Sequence, residues 1–374
     1  MRFLTAGESH GRALIAIIEG VPSGLPLSKD DIDRELTRRK QGYGRGSRMN
    51  IESERCEIYT GLRNNRTIGS PIAIILENID WQKDQTPLTI PRPGHADLPG
   101  AIKYDTRDIR DIWERASARE TTTRVMAGAI AKKMLKELGI KIISYTKRIG
   151  DVETKGSFSL EEIEALSEAS PVRCPDEGAS GKMIRLIDEA REKGETLGGI
   201  FEVMAIGVPP GFGTYVHWDR RLDGLIAQAI MSIPSVKGVE IGGGFGITRS
   251  FGSEVMDIIN YESGHTPYPF YRDTNFAGGL EGGITNGELI IVKGAVKPIP
   301  TLRKPLPSID LVKKERQEAI VVRSDICVVP AAGVIGESML AWVLADTILQ
   351  ELGGNTWKEV KTRYSQYLEY VRNF

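Results

Sequence analysis

Cysteine is scarce in this chain: Cys56, Cys174 and Cys327 are the only three in 374 residues, and no two stand in a CxxC pair. That spacing excludes a disulfide framework and a zinc ribbon, and it fits a reducing cytoplasm. An excess of charge of one sign is lacking too. With 49 Lys and Arg against 50 Asp and Glu, the formal net charge is -1. A general nucleic-acid or membrane-surface binder needs a surplus of cations on one face, so neither is expected, and any anion site must be local. The opening MRFLTAGESHGR reaches an acid and a histidine before any signal-like apolar core, and the Ala-rich stretch near Ala341 carries Pro330 and Glu337 as breaks. We expect neither export nor a membrane span. Histidines number four, His10, His95, His217 and His265, and no HExxH or other metal spacing occurs, so no metal is expected. Fixed-period repeats, low-complexity tracts and linkers are absent as well, which leaves one domain over residues 1-374 as the simplest organisation.

Glycine is in excess: 41 residues, about 11% against a usual ~7%. Its clusters mark loops that turn tightly or let backbone approach a ligand. Between them the pattern is mixed helix and strand. Arg2 to Ala6 and Ala13 to Ile18 read as a pair of strands around Gly7-Glu8-Ser9-His10-Gly11. Ser28 with Asp31 starts a helix whose Ile32 and Leu36 form an apolar face and whose end is cationic. Glu57 to Thr60 and Ile72 to Leu76 read as strands, and Asp80 to Asp108, with four prolines, reads as one long loop. Ser117-Ala118-Arg119-Glu120 has the form of a capping box, opening a helix that Gly139 stops. Further helices are expected from Ser159, over 180-193, 218-231, 333-352 and 357-373, and further strands over 140-145, 201-206, 239-241, 288-292 and 319-322.

Four groups of residues bear on chemistry. Gly7-Glu8-Ser9-His10-Gly11 has the GxSxG form of a nucleophile elbow, yet such an elbow follows several sheet strands and an oxyanion loop, and only one strand precedes Ser9. The run from Arg38 to Arg48 holds Arg38, Arg39, Lys40, Arg45 and Arg48 with no acid. It is either a solvated surface or an anion site; the interspersed glycines favour the second, because backbone amides and guanidinium forks together hold phosphate and carboxylate. His10 and His95 lie in loops rich in Gly, Pro and charge, where an imidazole meets ligand more readily than core, whereas His217 and His265 read as structural. Arg115 and Ser117 sit at a helix start that favours an anion such as a phosphate, although plain capping by Ser117 accounts for the same residues.

Taken in order, GESHG (7-11), RRKQGYGRGSRM (38-49), RPGHADLPGAIKY (92-104), RASARETTTRVMAGAIAKK (115-133), VKGVEIGGGFG (236-246), NFAGGLEGGITNG (275-287), KPIPTL (297-302) and RSDICVVPAAGVIGESM (323-339) resemble chorismate synthases, from Phe3 to about Leu352. The resemblance implies an α+β fold, a β-α-β sandwich in which antiparallel sheets enclose a helical layer, in a homotetramer. It implies an anti-1,4-elimination of phosphate from 5-enolpyruvylshikimate 3-phosphate to give chorismate, with reduced FMN required. NADPH is a candidate reductant, and self-reduction or an outside reductase both stay open.

The resemblance also carries roles. His95 would protonate the departing phosphate, His10 would hydrogen-bond or protonate the reduced flavin, and Asp325 would help remove the substrate hydrogen. Arg39 and Arg45, with Arg48 beside them, would hold phosphorylated substrate or NADP. Flavin contacts would come from Arg115, Ala116 and Ser117, from Pro234 and Ser235, from Gly282, from Lys297, Pro298, Ile299, Pro300 and Thr301, and from Arg323. Ser324 stands where many members have histidine, and Trp113 and Glu114 stand where many have glycines. Two other classes remain: a serine hydrolase using Ser9, and a flavin- or anion-binding module without catalysis.

Overall fold

Alternation of apolar residues builds the first sheet. Leu14, Ala16 and Ile18 of strand Ala13–Glu19 and Ile72, Ile74 and Leu76 of strand Ile72–Glu77 are all buried, while their neighbours along each strand are more exposed. A period of two puts one face of each strand against a core. In the computed structural model, which describes residues 1-81, 86-321 and 324-374, these strands lie between Arg2–Gly7 and Glu57–Ile58 in a four-stranded antiparallel sheet. A second antiparallel sheet has five strands in the order Val236–Ile241, Ile290–Val296, Gly199–Ile206, Lys141–Ile149, Val152–Glu153. Ile142, Phe201, Val203 and Ala205 point from it into the main core, whereas Ile143, Tyr145 and Met204 face the other way and pack with Ile163 of helix Leu160–Ala169.

Helices fill the space between the sheets. Helix Thr121–Glu137 touches both sheets, and helix Val329–Leu352 packs along the five-stranded sheet while Trp342 meets Phe3 of the other edge to face, with ring centroids 4.7 Å apart. Twelve of 17 residues in the first and seventeen of 24 in the second are buried. A helix enclosed on all sides has no need of an amphipathic stripe. Helices Lys29–Lys40 and Leu222–Met231 pack against them to complete the layer. Glycines inside these helices allow the close approach: a side chain at Gly336 would meet Phe201 Cε2 at 2.7 Å and Val203 Cγ2 at 2.9 Å. The architecture is the expected α+β sandwich.

Several local expectations need correcting. Pro330 and Glu337 do not break the apolar stretch, because Pro330 occupies the first turn, where its missing N–H costs nothing, and Glu337 is fully paired inside the layer. Among the described residues Val329–Leu352 is the one helix long and apolar enough to cross a membrane, but 78% of its apolar window is buried within the fold. The stretch 80-108 contains a helix, Asp97–Lys103, instead of loop alone. Ser117 caps a single 3-10 turn, Ala118–Glu120, through the Arg119 amide, and the long helix starts only at Thr121. The 218-231 segment is divided at Arg221. No strand begins at Ala319: the strand there is Arg316–Glu318, paired with Pro307–Ile309, and Val322 lies outside the described residues. The capping boxes at Ser28 and Ser159 form as expected.

Candidate active site

At one end of the helical layer, chain turns from distant parts of the sequence enclose a cavity of about 570 Å³. The Gly7 to Gly11 turn, the glycine and arginine loop, the segment around His95, the turn before Thr121, residues 233-235, residues 297-301 and the first turn of helix Val329–Leu352 all contribute. The size lies within the range of ordinary small-molecule sites, roughly 300–1,000 Å³. Its walls are polarised. Seven cationic residues line it, Arg39, Arg45, Arg48, Arg92, Arg110, Arg119 and Lys297, against three acids, Asp80, Glu114 and Asp325. Val328, Ala331, Ala332 and Ile335 supply an apolar patch beside them.

Arg39 and Arg119 are held in place by what lies behind the wall. Arg39, almost fully buried, donates from Nε to Thr121 Oγ1 at 3.0 Å and from Nη2 to the Ala118 carbonyl at 3.0 Å. Burial pushes its guanidinium down to about 10, with Glu54 opposing and Arg45 and Arg119 adding to the fall, and it stays charged at neutral pH. Arg119 donates to Asn78 Oδ1 at 3.0 Å and pairs with Glu54. Glu54 itself adopts φ 51° while nearly fully buried, a left-handed conformation that an L side chain rarely takes. Arg39 Nη1, Arg45 Nε and Arg119 Nη2 are buried outside hydrogen-bond geometry, each facing a carboxylate oxygen at ion-pair distance: Glu54 at 3.8 Å, Asp325 at 3.4 Å and Glu52 at 3.3 Å.

Both loop histidines face the cavity, and each is backed by a carboxylate. His95 Nδ1 lies 2.5 Å from Asp97 Oδ1, and Arg92 bonds the same carboxylate through its amide, Nε and Nη2 at 3.0, 2.8 and 3.0 Å. Burial alone raises the Asp97 carboxyl, but the hydrogen bonds from His95 and Arg92 outweigh it and hold it far below the usual carboxylate range. Arg92 also lies over the Trp113 ring, 4.7 Å from its centroid. His10 Nδ1 lies 2.9 Å from Glu114 Oε1, and the His10 amide donates to Glu114 Oε2 at 2.5 Å. Here too burial raises Glu114, and the bonds from the His10 ring and backbone bring it below its ordinary value. Asp325 accepts from the Gly46 amide at 2.5 Å with Arg45 Nε 3.4 Å away.

Of the residues singled out in the sequence, His10, His95, Asp325, Arg39, Arg45, Arg48, Ala116, Ser117, Pro234, Ser235, Lys297, Ile299, Pro300 and Thr301 line this one cavity. Three lie elsewhere. The Arg115 side chain turns away to bond the Thr5 and Gly7 carbonyls at 3.0 and 3.1 Å, tying the first strand down. Gly282 is the exposed turn of the hairpin between Leu280–Glu281 and Ile284–Thr285, and Pro298 is not on the lining. Arg323 lies outside the described residues. His217 is exposed, and His265 stacks on Tyr271 with Nδ1 2.8 Å from the Tyr268 carbonyl; neither touches the cavity. Ser9 is buried, its Oγ accepts from Arg48 Nη1 at 2.8 Å, and its hydroxyl donates to no histidine among the described residues, so no nucleophile and base pair is formed there. Ser324 donates to the Thr301 carbonyl at 2.8 Å, joining two walls.

Sequence reasoning passed over Arg92, Asp97, Glu114 and Arg119. All but Glu114 stand in quoted motifs, and their charge next to His95 or Ser117 was the available signal.

The sandwich and its charged, partly apolar cavity have the form of an enzyme's small-molecule site. Residues 1-349 match the family model described as chorismate synthase. The chain is 50% identical over 390 residues to a chorismate synthase of Solibacter usitatus and 50% identical over 396 residues to one of Aquifex aeolicus, covering all of this chain and 100% and 99% of those proteins. A solved structure titled "Crystal Structure of Chorismate Synthase" superposes with a TM-score of 0.83 at 45% identity, covering 100% of this chain and 98% of that one. The chain belongs to the chorismate synthase family, lyases of the shikimate pathway acting on a small-molecule substrate.

Proposed function

We propose that this cavity carries out the anti-1,4-elimination of phosphate from 5-enolpyruvylshikimate 3-phosphate, with reduced FMN bound beside the substrate. The observation that carries the reading is the convergence of seven cations and two carboxylate-backed histidines on one cavity with only three acids. Two carboxylates and a phosphate on the substrate, with a further phosphate on the flavin, need that surplus, and the guanidinium groups among the lining residues suit such anions. The apolar patch from Val328 to Ile335 suits a flat ring, so the residues present fit the flavin. Ala116, Ser117, Pro234, Ser235 and the Lys297 to Thr301 turn would hold it. When bound, reduced FMN supplies electron density that helps the bond to phosphate break.

The chain's own groups do the rest. Arg39, Arg45 and Arg48 bind and orient the anionic groups in a site that excludes water, where each charge counts for more than in bulk solvent. His95 delivers a proton to the departing phosphate, with Asp97 and Arg92 holding its ring. His10 lies by the flavin, and Asp325, fixed by the Gly46 amide, assists loss of the substrate hydrogen. We further propose that the protein works as a homotetramer in the cytoplasm, with NADPH as one source of reducing equivalents.

Anaerobic incubation of 5-enolpyruvylshikimate 3-phosphate with protein and chemically reduced FMN, followed by chorismate absorbance, tests the reading. Chorismate is expected with reduced FMN and none with oxidised FMN and no reductant. Full turnover with oxidised flavin would sink the role of the reduced cofactor. Binding of reduced FMN without phosphate release would make the protein a binding module instead.

A further inference from the structure

Glu114 clamps the residue pair Ser9-His10 from three directions. Its carbonyl accepts from the Ser9 amide at 3.1 Å, one carboxylate oxygen accepts from the His10 amide, and the other meets the His10 ring at Nδ1, 2.9 Å away. Above its pKa a carboxylate has no proton to give, and Glu114 is held below its ordinary value, so the proton in the ring contact belongs to the imidazole. On the opposite side of the ring, Nε2 is 3.3 Å from Arg48 Nη1. A guanidinium offers donors and no acceptor, so that contact requires a lone pair on Nε2. Arg48 is itself fixed by Glu52 at 3.1 Å and by Ser9 Oγ at 2.8 Å. The Trp113 ring stands at 77° to the imidazole, 6.2 Å between centroids, and closes a third side.

We propose that Glu114 is a positioning residue for His10: with Arg48 it holds the ring in the ligand-free protein with its proton on Nδ1 and its lone pair on Nε2. The inference rests on the reading of the cavity as the lyase site, in which His10 meets the bound flavin. Nε2 meets a ligand where that ligand takes the place of Arg48 Nη1, first as an acceptor, and as a donor once it has taken a proton from water. Orientation by a carboxylate on the far nitrogen is how an imidazole keeps one tautomer and one heading through a reaction. His95 is arranged differently, since Arg92 Nη2 lies 3.0 Å from its Nδ1 and 3.3 Å from its Nε2, on the same side as Asp97. The two histidines are therefore not interchangeable.

Four histidines give four ring spin systems, so nitrogen spectra of histidine-labelled protein at alkaline pH, without ligands, read the tautomer directly, with His10 assigned from the His10→Gln spectrum. Wild-type His10 is expected to show a protonated Nδ1 and an unprotonated Nε2. Glu114→Gln keeps the shape and the Ser9 contact but leaves two donors competing for one oxygen, so the Nε2–H form gains. Turnover should fall roughly 10- to 100-fold, the scale at which a histidine misses the group orienting it, with substrate KM little changed. A wild-type His10 carrying its proton on Nε2 would overturn the proposal even if the variant does not fold. So would Glu114→Gln with both the wild-type tautomer and the wild-type kcat. A changed tautomer with unchanged kcat would uphold the positioning and count against His10's part in the chemistry.

Discussion

Arg38 and Arg39 are neighbours on one helix, and they end in opposite kinds of site. Arg38 turns into a closed cluster in the helical layer, where its Nη1 meets Glu35 and Glu337 at 2.6 Å each and its Nη2 meets Glu337 at 2.9 Å. Lys132 and Ser144 bond the same Glu337, each at 2.6 Å, and Arg173 approaches it at 3.4 Å while pairing with Glu168 at 2.8 Å. Three cations, Arg38, Lys132 and Arg173, balance three acids, Glu35, Glu168 and Glu337. Arg39, about 100° round the helix, turns to the cavity, where cations outnumber acids among the lining residues. Charge that is balanced inside the protein serves the fold. Charge left unbalanced is a site awaiting a partner, and its cost is met when the ligand arrives.

The widest separation between the two regions is expected from His95→Ala, which should lower turnover by about 10²–10⁴, the usual worth of a positioned general acid, and leave stability close to wild type. Stopped-flow turnover and thermal unfolding on the same variant check this; a near-wild-type rate would remove His95 from the chemistry. His217→Ala, far from the cavity, serves as the comparison and should keep the wild-type rate.

Glu337→Ala should do the reverse at the closed cluster, costing about 3–5 kcal/mol because buried cations lose their partner. Urea denaturation measures it, and a loss under about 1 kcal/mol, the scale of an exposed ion pair, would erase the distinction between the clusters. The cluster also has a pH signature. Burial raises the Glu337 carboxyl, but Arg38, Lys132 and Arg173 outweigh it and hold it well below its ordinary 4.5. A carboxyl depressed in the folded state contributes stability that is complete above its unfolded value and drains away as pH falls toward the folded one. Stability of the wild type should therefore decline below about pH 4.5 more steeply than that of Glu337→Gln.

A smaller effect, about 1.5–3 kcal/mol of substrate binding, is expected from Arg45→Ala through loss of a charge-assisted hydrogen bond, with no loss of stability. Calorimetry on the folded variant decides it, and unchanged affinity would return Arg45 to the class of structural charge. Smallest of all is Glu168→Gln at the half-open rim of the closed cluster, expected to cost less than about 1 kcal/mol in the same denaturation assay because solvent screens the pair.

Much of this was legible in the residues. Ser28 with Asp31 and Ser159 with Glu162 fixed two helix starts, since a capping box is complete within four residues. Alternation at Leu14, Ala16 and Ile18 set which face of a strand is inward. The acid-free run from Arg38 to Arg48 pointed to an anion site, but it could not separate Arg38 from Arg39. Ser117 misled for a related reason: the Ser-x-x-Glu pattern was there, but the Glu120 carboxylate turns to Arg124 at 3.0 Å and Thr5 at 3.3 Å, and the box is not formed.

By itself the sequence determined what depends on near neighbours and on order: capping, alternation, local charge and the eight motifs that mark the family. The tertiary structure decided which groups meet across long stretches of chain. His10 finds Glu114 104 residues away, and Arg38 finds Glu337 across 299. Helix Val329–Leu352, which composition alone would let cross a bilayer, is instead buried between the five-stranded sheet and helices Lys29–Lys40, Thr121–Glu137 and Leu222–Met231. Periodicity and capping act over a few residues and leave a pattern in the chain, whereas an ion pair or a buried helix is chosen by packing, which no local spacing records.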